Sequence, residues 1–191
     1  MNSDFNPQVE NGKVFWGEIA PCEHIAQFYE HEGVLIDTLV GFVGGGLKAG
    51  ESTIVIATAE HLKALEKGLK DSAVDLRTAQ LQDRYVTLLA DEALNRFMVK
   101  DWPDDERFAN FVSEVITRAR GNSRRVRAFG EMVALLWAKG QTAATVRLEF
   151  LWGQLCKRQD FSLFCAYPKA GFTKDSSKSL QEICAAHSRI M

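Results

Sequence analysis

The chain has 191 residues, is 46% apolar and 25% charged, and carries a net charge of −2 with a pI of about 6.1. That size fits one domain with a short arm, and the apolar share supplies a sizeable core. The charge balance gives no global field favouring nucleic acid or an anionic membrane.

The opening "MNSDFNPQVENGK" lacks the basic region and apolar core of a signal peptide, and no stretch approaches the roughly 20 apolar residues of a membrane helix. The four cysteines, Cys22, Cys156, Cys165 and Cys184, form no C-x-x-C pair, and three of them lie in apolar surroundings and read as small buried hydrophobes of a cytoplasmic protein. No nucleic-acid or membrane partner is expected.

Residues 1–20 read as an N-terminal arm, anchored by Phe15 and Trp16, ahead of a domain over residues 21–191. "HIAQFYE" (His24 to Glu30) predicts a short strand, and "VLIDTLVGFV" (Val34 to Val43) a well-buried helix. "STIVIAT" (Ser52 to Thr58) is a continuous apolar run, as expected of a strand covered on both faces, and "AEHLKALEKGLK" follows as an amphipathic helix. "RYVTLLAD" is the next strand and "DEALNRFMVK" opens a helical stretch. "WPDDERFANFVSEVITRARG" has acidic residues early, arginines late and Gly121 as its stop, the punctuation of a helix. "RRVRAFGEM" predicts a strand, "TAATVRLEFLWGQLCK" a helix and "FSLFCAYP" a strand. Ser179 and Glu182 resemble a capping box opening a last helix. Strand and helix alternate throughout, so the expected class is α/β: a single three-layer domain with a mostly parallel central sheet.

"GGGLKAGESTIVIAT" offers a near-match to G-x-G-x-x-A at Gly44, Gly46 and Ala49. A dinucleotide fingerprint follows a strand and opens a helix, so that helix-start N–H groups meet the pyrophosphate. Here the order is reversed, and the glycines read as a helix stop and tight turn, with Gly46 and Gly50 leading into the second strand. The strand-to-helix turn "TAEHL" (Thr58 to Leu62) has no glycine and no Gly-Lys-Ser/Thr.

Ligands of open parallel sheets bind beyond the carboxyl ends of the strands. The residues there are Tyr29, Glu30 and His31, then Thr58, Glu60 and His61, then Asp91, Glu131 and Tyr167. Tyr29, Thr58, His61, Glu131 and Tyr167 are the candidate ligand-binding set, combining aromatic area, a carboxylate and an imidazole. His24, His31 and His61 with Glu131 have no metal-ligand spacing, so no metal and no cofactor are expected. There is no G-x-S-x-G elbow, and Cys165, inside an apolar strand, reads as an inert thiol. Arg118, Arg120, Arg124, Arg125 and Arg127 read as a solvated helix end and loop. Glu149 and Trp152 share a helix face, which leaves open a cavity lining or a pairing of Glu149 with Arg147 or Arg127.

The ordered pieces "HIAQFYE…FVGGGLKAGESTIVIAT…RAFGEM…LEFLW…SLFCAYP" resemble the MEDS domain, the sensory domain named after methanogen and methylotroph regulators of the DcmR type. The resemblance covers about residues 24 to 172, and its matching residues include His24, Tyr29, Gly46, Gly50, Glu51, Glu131, Glu149, Cys165 and Tyr167. It implies a RecA- and KaiC-like core without the phosphate loop, and a sensory role toward small organic compounds. It brings no catalytic residues. Such domains are fused to output modules; this chain ends soon after the domain, so signalling through a separate kinase or regulator is expected, with homodimerisation left open. The rival readings are a divergent RecA-like ATPase and a pure interaction module acting on a histidine kinase or anti-sigma system.

Overall fold

The computed structural model describes Trp16, residues 19–171 and residues 177–191; Phe15 lies outside them. In chain order the elements are β1 (His24–Tyr29), α1 (Glu32–Lys48), β2 (Ser52–Ala57), α2 (Ala59–Asp71), α3 (Leu76–Leu81), β3 (Tyr85–Leu89) and α4 (Ala90–Phe97). There follow β4 (Met98–Val99), β5 (Trp102–Pro103), α5 (Asp105–Arg120), β6 (Val126–Gly130), α6 (Met132–Ala138), α7 (Thr142–Gln159), β7 (Ser162–Pro168), α8 (Ser177–Ala186) and β8 (Arg189–Ile190). The six-stranded sheet has the order β3-β2-β6-β7-β1-β8, and every pairing in it is parallel. β4 and β5 form a separate antiparallel hairpin.

Side chains alternate across a strand, so each strand feeds two cores. On one face Ile25, Tyr29, Val55, Ala57, Phe129 and Phe164 pack with α1, α2, α3 and Trp16. On the other, Ile54, Ile56, Ala128, Leu163, Cys165 and Tyr167 pack with α4 to α8. β2, whose residues are all buried, needs its unbroken apolar run for this double cover. The handedness of parallel crossovers sets the layers. Connections that run toward β3 place their helices on the first face, and connections that run toward β8 place theirs on the second.

The glycine run corrects the sequence reading. Gly44, Gly45 and Gly46 lie inside α1, which ends at Lys48, and only Gly50 has the left-handed φ, +82°, of the expected turn. Close packing explains the small residues. A Cβ on Gly41 would stand 2.5 Å from Trp16 Cδ1, and one on Gly45 2.8 Å from the Trp16 carbonyl oxygen. On Gly46 it would stand 3.0 Å from Arg127 Cδ.

The arginine cluster is also corrected. Arg127 is 2% exposed, ion-paired to Glu51, and donates to the Trp16 and Phe42 carbonyls at 3.1 and 3.3 Å. Arg124 donates to Ser52 Oγ at 2.8 Å and to the Gln82 and Ala119 carbonyls. Arg120 meets the Gln159 and Asp160 carbonyls, Arg125 the Ile19 carbonyl, and Arg118 Asp83. Arg127 is thus buried, whereas Arg118 and Arg125 stay exposed as the sequence reading had them, their guanidinium groups reaching a carboxylate and a backbone carbonyl from the surface. Ser179 is no cap either, because α8 already begins at Ser177.

Candidate functional site

β2 leads through α2 outward to β3, whereas β6 leads through α6 and α7 the other way to β7. The carboxyl ends of β2 and β6 therefore flank the topological switch point of the sheet, where the departing chains diverge and leave a crevice. Ile56 and Gly130 are register partners there, and Glu131 N–H donates to the Ile56 carbonyl at 2.9 Å. This pairing brings Glu131 to the start of α2.

The Glu131 carboxylate accepts from Thr58 N–H at 2.8 Å through Oε2 and from His61 Nδ1 at 2.7 Å through Oε1. Thr58, the N-cap of α2, accepts in turn from His61 N–H at 3.3 Å. The unpaired N–H groups at a helix start attract a negative charge. Glu131 supplies one from within the chain. His61 and Glu131 are 8% and 4% exposed, so the pair sits in a desolvated niche. The hydrogen bond to Glu131 raises the His61 pKa above its ordinary value, outweighing the opposing effect of burial.

Tyr29 ends β1 on the same face, 8% exposed. Burial, then the Glu131 and Glu32 carboxylates, push its phenol up to about 12. Glu32, in the first turn of α1, acts on both Tyr29 and His61 and is a neighbour that the strand-end inventory omitted. Acidic residues at helix starts are so ordinary that nothing in the sequence singled it out.

Tyr167 does not join this group. Tyr29 pairs in register with Pro168, and Phe28 with Tyr167, so the two tyrosines project to opposite faces of the sheet. The Tyr167 hydroxyl donates to Glu149 in the second core. Among the other strand-end residues, Glu30 pairs with Lys169, while His31, Glu60 and Asp91 are exposed.

The family described as MEDS, MEthanogen/methylotroph, DcmR Sensory domain, matches residues 23–188. The chain belongs to the MEDS family. No curated protein matches it. The match spans five of the six strands of the MEDS sheet, all but β8, and so includes the switch-point residues. Among the described residues of this MEDS domain, no helix is long and apolar enough to cross a membrane.

Proposed function

We propose that this MEDS domain is a non-catalytic sensor that receives a small polar organic molecule at Tyr29, Thr58, His61 and Glu131 and signals to a kinase or regulator. The observation that carries the reading is the Glu131 carboxylate at the start of α2, bonded to Thr58 N–H and to His61. A nucleotide-hydrolysing α/β protein directs that helix start, with a lysine and a hydroxyl, at the phosphates. Here the position is filled by a fixed anion, which repels a phosphate and supports sensing over hydrolysis. An organic ligand with a hydrogen-bond donor exchanges hydrogen bonds with the His61–Glu131 pair, while the Tyr29 ring supplies apolar contact.

Thermal-shift titration tests this with small organic acids, amines and alcohols beside magnesium nucleotides. The expected outcome is saturable stabilisation by an organic compound, lost in Glu131→Gln and weakened in Tyr29→Ala, with no nucleotide turnover. Steady magnesium-dependent hydrolysis that disappears on changing Thr58 or Glu131 would sink it.

A further inference from the structure

On the opposite face of the sheet from the switch point, a second polar cluster is shut inside the core. His24 comes from β1, Glu149 from α7, Cys165 from β7 and His187 from the residue after α8. His24 Nε2 lies 3.2 Å from Glu149 Oε2 and His187 Nε2 3.5 Å from Glu149 Oε1. Cys165 Sγ lies 3.6 Å from His24 Nε2 and 3.7 Å from Glu149 Oε2. One ligand atom from each residue falls within 4.8 Å of every other. Glu149 thus pairs with neither arginine that the sequence left open: Arg147 goes to Asp105 and Arg127 to Glu51.

The tautomers are set from outside the cluster. His24 Nδ1 is 3.1 Å from the Ala186 carbonyl oxygen, and His187 Nδ1 is 2.6 Å from that of Ile183. A carbonyl only accepts, so each Nδ1 carries a proton and each Nε2 points inward toward Glu149. His187 Nε2 has no hydrogen-bond partner, although its side chain is 0% exposed. The Tyr167 hydroxyl donates to Glu149 Oε1. Imidazoles held by backbone carbonyls and a carboxylate held by a hydroxyl form the outer ring of contacts that orients metal ligands.

The spacing and charge agree with that reading. A tetrahedral zinc, with Zn–N and Zn–O of roughly 2.0–2.1 Å and Zn–S of about 2.3 Å, separates its ligand atoms by about 3.3–3.6 Å. A thiolate and a carboxylate together cancel a divalent charge, leaving a neutral unit in a dry interior. β7 is apolar, but the neighbours of Cys165 on this face, His24 and Glu149, are polar.

We propose that His24, Glu149, Cys165 and His187 form a buried site for one divalent cation of zinc(II) type, independent of the ligand reading at the switch point. The mixed nitrogen, oxygen and sulfur donors select zinc or cobalt over magnesium or calcium. Binding ties the C-terminal segment that carries His187 to β1, β7 and α7.

The test uses the full chain, stripped with a chelator and titrated with zinc or cobalt(II), with bound metal measured by mass spectrometry and absorption. The expected result is one equivalent per chain, a raised Tm, intense visible bands of tetrahedral cobalt and a near-ultraviolet thiolate-to-cobalt band. Cys165→Ser should lose the thiolate band and His187→Gln the stoichiometric binding, while His61→Gln at the other site retains both. Should Cys165→Ser fail to fold, the wild-type thiolate band and the His187→Gln variant decide. Trace metal only in the wild type, a cobalt spectrum without the thiolate band, or undiminished binding by His187→Gln would each overturn the proposal.

Discussion

His61 holds its proton further into the alkaline range than an ordinary imidazole of pKa 6.5, because Nδ1 donates to Glu131 at 2.7 Å. A group whose folded pKa exceeds its unfolded one contributes stability that is complete below the unfolded value and is lost as pH rises through the folded value. The wild type should therefore lose thermal stability as pH climbs above about 6.5. Glu131→Gln should flatten that slope, and Tm measured across neutral to mildly alkaline pH reads both. An equal slope in wild type and variant would dissociate the two residues. At this scale the sequence exposed part of the site. Thr58, His61 and Glu131 could be found because each follows a strand, and neighbouring strands brought them together. Tyr29 and Tyr167 looked equivalent because each stands at or near a strand end, and only the register shows that they face opposite sides. His24, Glu149, Cys165 and His187 are too scattered along the chain for any spacing rule to link them.

α1 illustrates how an element can defy its own residues. Helix-interior glycine costs roughly 1 kcal/mol against alanine, so a run of them reads as a stop. Packing reverses the preference, because Trp16 and Arg127 occupy the space that side chains would need. Gly41→Ala and Gly45→Ala should each destabilise by ~1–3 kcal/mol through overpacking, despite alanine's better propensity. Gly33→Ala, in the first turn of the same helix with nothing within 4 Å of its added Cβ, should be neutral or stabilise by ~0.4–1 kcal/mol. Urea denaturation of the three variants measures the contrast, and uniform stabilisation would refute the packing account. Elements with strong periodicity or clear punctuation, β2 and α5 above all, were legible in the sequence. α6 was not, since "MVALLWA" is apolar all round and shows no solvent face. β8 and the β4–β5 hairpin have two-residue strands, too short for alternation to register.

Across the whole molecule, the strand–helix alternation fixed the class and the parallel sense, while strand order depended on which crossovers reverse direction. That reversal places the switch point between β2 and β6. It also leaves β1, first in the chain, next to the sheet's boundary, with β8 beside it. Residues 188–191 satisfy the outer side of β1: Ser188 N–H donates to the His24 carbonyl at 2.8 Å, Met191 N–H to Ala26 at 2.8 Å, and Phe28 N–H to Met191 at 3.1 Å.

That short closing strand acts as a guard against unwanted company. Without it, the amides and carbonyls of a long apolar strand would face outward, the template on which a foreign strand or another copy adds itself. Chain truncated after Ala186 should thus self-associate in a concentration-dependent way, seen as a rising mass by light scattering, under conditions where the intact chain keeps a constant mass. A truncated chain whose mass stayed constant over the same range would show that β1 needs no such cover. If the guard can be lifted in the intact protein, the same backbone edge becomes a latent β-pairing surface, present in the fold but silent while residues 188–191 lie across it.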